Sequence, residues 1–216
     1  MTPLRAFNET LLFYCPRFSG QETAVLRAAY GALLTGAPVS VTDLSQQVGM
    51  SIQSLEELLA RWPGLAEFDE DGRIEGYLGL SLRPTSHAIS VNGQTLHTWC
   101  AWDGLFIPRV IGQELRLTST CPISGEAIVV SVAPLGVVDV HPASVVMSFV
   151  TARAALGNCV GVCCPDVHFL RSAETGARWQ ARNPMGSVLT MQEASDLARS
   201  FVDTRLTADP ALAPHT

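Results

Sequence analysis

Residues 51–77 read Ser51-Ile-Gln-Ser-Leu-Glu-Glu-Leu-Leu-Ala-Arg-Trp62-Pro-Gly-Leu65-Ala-Glu-Phe-Asp-Glu-Asp71-Gly72-Arg-Ile-Glu-Gly-Tyr77. Ser51 suits an N-cap, and Ile52, Leu55, Leu58 and Leu59 recur at helical spacing until Pro63. Asp71-Gly72, between two partly apolar arms, is a hairpin signal. Upstream, Gln21 to Thr35 carries Val25, Leu26, Ala29, Leu33 and Leu34 at helical spacing and is stopped by Gly36-Ala37-Pro38. Another helix starts after Ser40, with Asp43 three residues on as in a capping box. Val41, Leu44 and Val48 form its inner face, and Gly49 ends it. Helix, Gly-containing turn, helix and hairpin predict a winged-helix-like unit over roughly 21–80, within a first domain spanning 1–80.

Such a unit suggests DNA binding, but its charge opposes this. Residues 1–80 hold five arginines (Arg5, Arg17, Arg27, Arg61, Arg73) against ten acidic residues. The expected recognition helix, Ser51 to Trp62, has two Glu and one Arg. Phosphate contacts supply most nonspecific affinity, so this surface repels nucleic acid. The expectation is a helical subdomain that covers the rest of the chain.

Downstream, Asn92-Gly93 between Ala88–Val91 and Thr95–Thr98 predicts a second hairpin. Trp99 to Ile111 suits a short buried helix. Leu115–Thr120, Ala127–Val132, Val137–Val140, Val145–Val150 and Val160–Leu170 read as strands, and Thr190 caps a helix through Val202. The expected class is α+β: a winged-helix-like front on a mixed or antiparallel sheet core with flanking helices. The core spans 81–206, with a loose tail at 207–216.

The whole chain has 216 residues, of which 47% are apolar and 16% charged, with a formal net charge of −6. This composition describes a well-buried globule. All 14 basic residues are Arg, which excludes a lysine Schiff base, a P-loop lysine and a Ser-Lys dyad. No apolar run reaches the roughly 18 residues of a membrane span. The opening residues lack a basic stretch followed by an apolar one, so the expected location is the cytoplasm.

Six cysteines, at 15, 100, 121, 159, 163 and 164, are expected to be thiols in a reducing compartment. No C-x-x-C pair is present, which disfavours structural zinc. Three segments place a thiol in unusual company. In Thr98-Trp-Cys100-Ala-Trp-Asp103-Gly-Leu-Phe-Ile-Pro108, a helical path puts Cys100 and Asp103 on one face among Trp99, Trp102 and Phe106. The other two are Cys121-Pro-Ile-Ser-Gly125 and Cys163-Cys164-Pro-Asp-Val-His168-Phe169. Taken alone, a buried Cys is more often a small hydrophobe than a nucleophile. Likewise His168 reads as structural, orienting a loop or satisfying a backbone carbonyl, and Trp99, Trp102 and Phe106 read as core filling. A buried Asp is harder to dismiss, because its carboxylate must be paired or protonated.

These three segments, in this order and spacing, resemble the organomercurial (alkylmercury) lyases over about residues 21–182. The resemblance implies an enzyme cleaving carbon–mercury bonds by protonolysis to hydrocarbon and Hg(II). Its catalytic residues would be Cys100, Asp103 and Cys164, which would also hold substrate and product mercury. Counting back from Val167-His168-Phe169 selects Cys164 as second thiol; counting forward from Cys121 selects Cys163. Cys121 matches a structural thiol, and Trp99, Trp102 and Phe106 would line the pocket. Many relatives have a cysteine where Pro165 stands, and Cys159 and Cys163 are extra thiols, so substrate range is left open. The chemistry fits the residues, since mercury prefers thiolate and Asp103 can take a thiol proton. No resident cofactor is implied, only an external small thiol for product release. The implied partners are the organomercurial and, as Hg(II) acceptor, mercuric reductase or a thiol; neither nucleic acid nor membrane is among them. Two alternatives are a thiol metal-binding protein of this fold and a metal- or redox-responsive transcription factor. The acidic front opposes the latter.

Overall fold

Ser19 opens helix α1 (Gly20–Leu33) with a capping box: its hydroxyl accepts from the Glu22 amide and Glu22 accepts from the Ser19 amide. Ser40 and Ser51 cap α2 (Val41–Val48) and α3 (Ile52–Arg61) through the amides of Asp43 and Ser54. Gly49 ends α2 in the left-handed conformation, at φ 67°. The buried Glu22 carboxylate accepts from Arg61 and from Trp62 Nε1, tying α1 to the end of α3. These contacts come from a computed structural model, which describes residues 17–150 and 164–206.

The expected hairpin forms at Asp71-Gly72, between β1 (Ala66–Phe68) and β2 (Ile74–Tyr77), with Asp69 accepting from the amides of Asp71 and Arg73. A bridge between Val39 and Ile74 pins the α1–α2 connection to it. β3 (Leu80–Ser81), β4 (His87–Val91), β5 (Gln94–Thr98), β6 (Leu115–Thr120), β7 (Ala127–Ala133) and β8 (Gly136–His141) complete one antiparallel sheet of order β1-β2-β3-β5-β4-β6-β7-β8. Its central strands alternate buried and exposed residues, as expected with one face on the core. A second antiparallel sheet, β10-β9-β11, contains β9 (Val146–Val150), β10 (Phe169–Leu170) and β11 (Gly186–Thr190).

Helix α4 (Asp103–Ile111) packs on β7 and β8 beside α6 (Met191–Phe201), and α5 (Ala173–Arg182) covers the second sheet. Arg109 of α4 grips Asp203 with two hydrogen bonds, of 2.6 and 2.9 Å. Gly104 lets α4 approach β6: a Cβ there would lie 2.0 Å from Leu117 Cδ1. No helix among the described residues is long and apolar enough to cross a membrane.

Two expectations are corrected. The helix expected over Trp99–Ile111 begins only at Asp103, because the backbone before it is committed elsewhere. The Ala101 amide donates to Val167 O and the Cys100 amide to the Asp103 carboxylate. The strand expected over Val160–Leu170 is, in its described part, a 3-10 turn (Cys164–Asp166) followed by the two-residue β10. Pro165 cannot donate to a sheet ladder. Cys15, Cys159, Cys163, residues 160–162 and the tail 207–216 lie outside the described residues. α5, β3 and β11 have no counterpart in the sequence reading.

Candidate active site

β5 ends at Thr98, whose hydroxyl donates to Cys100 O at 2.8 Å and turns the chain sharply. The turn delivers Cys100 just ahead of α4, whose first residue is Asp103. Asp103 Oδ2 accepts the Cys100 amide at 2.8 Å, so the carboxyl folds back over the thiol. On the other side, Ser148 of β9 holds the segment carrying Cys164. Its hydroxyl donates to Asp166 O (2.9 Å) and accepts the His168 amide (2.8 Å), while its amide donates to His168 O (2.9 Å). The Ala101–Val167 hydrogen bond, 3.2 Å, joins the two halves.

The sulfurs of Cys100 and Cys164 and a carboxyl oxygen of Asp103 thus lie within 4.8 Å of one another. Cys100 and Asp103 are buried, at 2% and 6% exposure, and Cys164 is half-buried, so the cluster opens to solvent at Cys164. Burial raises the Asp103 pKa to about 7; the nearby Glu67 charge adds to this and hydrogen bonds from Cys100 oppose it. Burial also pushes the Cys100 thiol up, reinforced by its contacts with Cys164 and Asp103. A thiol so placed stays protonated until a base takes its proton. A carboxyl balanced near neutrality beside it both takes and returns one.

Two thiols and a carboxyl offer a donor set for a soft, thiophilic metal rather than for a hard cation. Residues 80–203 match the family described as MerB, alkylmercury lyase. The chain belongs to the alkylmercury lyase family. It is 36% identical to an alkylmercury lyase of Streptomyces lividans over 177 residues, 82% of this chain and 81% of that protein. It is 38% identical to one of Pseudomonas putida over 165 residues, 76% of each chain. Its fold is similar to the mercury-bound form of MerB2, with a TM-score of 0.76 and 27% identity, covering 96% of this chain and 100% of that one. The alkylmercury lyase family carries the carbon–mercury lyase activity, and this chain is an enzyme of that class.

The other expected residues of this alkylmercury lyase family member surround the cluster unequally. Trp102 and Phe106 pack with Phe201 of α6, ring centroids 5.2–6.2 Å apart, behind the first turn of α4. Trp99 is half-buried and donates its amide to Gly79 O. Cys121 is fully buried and is not a member of the cluster. Burial raises its pKa, but the Ser124 hydroxyl and the amides of Arg171, Ile123 and Ser124 outweigh this and lower it. Its thiol accepts the Arg171 amide and fastens the turn after β6 to the end of β10.

Sequence reasoning missed four neighbours: Ser148, Glu67, Tyr30 and Gly79. Ser148 stands in a Val-rich strand with no local signal. Gly79 did have one, since Leu78-Gly79 follows Tyr77 as a two-residue turn.

His168 stacks on His87, centroids 6.3 Å apart, and His87 Nδ1 lies 2.9 Å from Ser119 Oγ. Burial, with His168 nearby, lowers the His87 pKa to about 4. The unfolded chain takes this proton near pH 6.5 and the folded one does not. Stability is therefore complete above pH 6.5 and falls as pH drops toward 4, by about 3 kcal/mol. Asp103 shifts stability the opposite way over this range, so the His87 effect is read as a difference. Urea unfolding at pH 7 and pH 5 is expected to show His87→Gln gaining about 2 kcal/mol on wild type at the lower pH.

Proposed function

We propose that the chain cleaves organomercurials by protonolysis with Cys164, Cys100 and Asp103, a reading carried by the convergence of the three groups within 4.8 Å. Cys164, the more exposed thiol, captures R–Hg–X, releasing HX and forming R–Hg–S. Cys100 then passes its proton to the Asp103 carboxylate and attacks mercury as thiolate. A second thiolate raises electron density on the metal and weakens the carbon–mercury bond. Asp103 returns the proton to carbon and R–H leaves, with Hg(II) held by both sulfurs. Two equivalents of an external thiol remove it and restore both cysteines; no resident cofactor is needed. Trp99 next to Cys100, backed by the buried Trp102 and Phe106, would give the site an apolar side that favours apolar R groups. Cys121 serves the fold.

The supporting feature for Cys164 as second thiol is its place in the cluster, while Cys163 is the neighbouring candidate. We read the front, residues 1–80, as a winged-helix-like cover on the core of 81–206 rather than a DNA reader. Three helices and a hairpin suit that shape, and Arg61 and Arg73 are already paired with Glu22 and with Asp69 and Asp71. Six thiols fit the cytoplasm, and mercuric reductase is a chemically suited Hg(II) acceptor.

The test is hydrocarbon release from methylmercury and phenylmercury in excess small thiol. Cys100→Ser and Cys164→Ser are expected to release none, because a hydroxyl is a hard donor and stays protonated; Cys163→Ser is expected to match wild type. Loss in Cys163→Ser with retention in Cys164→Ser moves the second thiolate by one residue. Tight Hg(II) binding by wild type without hydrocarbon would favour the thiol metal-binding alternative.

A further inference from the structure

The turn between β2 and β3 consists of Leu78 and Gly79, both at positive φ, 38° and 90°. Consecutive positive φ angles suit a two-residue hairpin, but the first position favours Asn, Asp or Gly, and a leucine there is strained. The strain is sustained by its surroundings. Leu78 is 5% exposed, its amide donates to Leu65 O at 2.8 Å, and its carbonyl accepts the Tyr30 hydroxyl at 2.6 Å. Gly79 O accepts the Trp99 amide at 3.0 Å, one residue before Cys100.

This turn lies directly against Asp103. A Cβ on Gly79 would sit 2.6 Å from Asp103 Cγ and 2.7 Å from its Cβ and Oδ1, closer than such contacts allow. The Oδ1 side of the carboxyl thus meets bare backbone while Oδ2 takes the Cys100 amide. Strained backbone that survives against a reactive group is a recurring feature of functional sites.

We propose that the Leu78-Gly79 turn, latched by the Tyr30 hydroxyl, is a positioning device that clamps the Asp103 carboxyl onto the Cys100 turn. Tyr30 acts through Leu78 O, and Gly79 acts by having no side chain. A carboxyl held from both sides keeps one orientation toward the thiols, as proton transfer between fixed groups requires. The consequence for turnover rests on the proton-carrier reading of Asp103, whereas the clamp does not.

The experiment follows the Cys100 backbone amide proton by NMR in wild type, Asp103→Asn, Tyr30→Phe and Gly79→Ala. At pH 8, where Asp103 is ionised, the charge-assisted hydrogen bond moves this proton downfield, so it reports the carboxyl position without any substrate. In Tyr30→Phe and Gly79→Ala it is expected to move toward its Asp103→Asn position. In methylmercury turnover both variants are expected to lose kcat about 10- to 100-fold while KM stays within about twofold. An amide at its wild-type position in both variants overturns the proposal, whatever their turnover. Tyr30→Phe removes a single oxygen, so it decides alone if Gly79→Ala does not fold. A wild type that releases no hydrocarbon while the amide shifts overturns the lyase mechanism and leaves the clamp standing.

Discussion

Asp103→Asn is expected to unfold in more urea than wild type at pH 8 and to release no hydrocarbon. Burial lifts the Asp103 pKa from 3.8 to about 7, so the folded chain holds this proton more tightly than the unfolded one. A raised pKa contributes stability below the unfolded value and loses it as pH rises through the folded value. Above pH 7 the protein carries the full penalty of a buried carboxylate, about 4 kcal/mol by linkage. Asparagine still accepts the Cys100 amide, as a neutral acceptor, and has no charge to desolvate, so most of the penalty disappears. The gain should be large at pH 8 and shrink to under about 1 kcal/mol at pH 4, where the folded carboxyl is protonated and the unfolded one is only partly ionised. Urea midpoints at the two pH values measure it. On the proposed mechanism the same substitution removes the proton carrier, so stability and turnover are expected to move in opposite directions, as in a site that is unfavourable for folding. Equal midpoints at pH 8 would show that the carboxyl is not desolvated.

Ser148→Ala is expected to lower both stability and turnover. One hydroxyl holds both the Asp166 carbonyl and the His168 amide, and it is fully buried on β9. Alanine leaves the His168 amide without its hydroxyl acceptor, a loss of about 1–3 kcal/mol. The segment it releases carries Cys164, whose sulfur must stay near Cys100. Misplacement by about 1 Å is expected to lower turnover about 100-fold. Urea unfolding gives the first quantity and hydrocarbon release the second. A variant that loses stability but keeps full turnover would separate the Ser148 clamp from the placement of Cys164.

Local signals made the fold legible where chemistry is local. Ser40, Ser51 and Thr190 cap the helices that they were expected to cap. Asn92-Gly93 turns β4 into β5 with φ of 50° and 76°. β6 runs from Leu115 to Thr120 as read, because its alternation is complete. The reading fails where a long-range partner decides. Ala101 belongs to the Val167 carbonyl instead of to a helix, and nothing near either residue announces the bond. Among the site residues, the Cys100–Asp103 spacing was visible, and the family resemblance supplied Cys164. Tyr30, Gly79 and Ser148 were hidden, since each acts by touching the backbone or side chain of a residue distant in sequence.

The two thiols belong to different sheets. Cys100 leaves the last residues of β5 in the eight-stranded sheet, and Cys164 precedes β10 in the three-stranded one. A mercury ion bridging both sulfurs is therefore a rivet through the body of the protein. On the proposed mechanism, its retention would add to folding stability, and its removal would proceed by ligand exchange on the metal while the scaffold stays intact. In that proposal the product-bound enzyme is cross-linked between its two sheets, and the external thiol that frees the product also removes the cross-link before the next substrate binds.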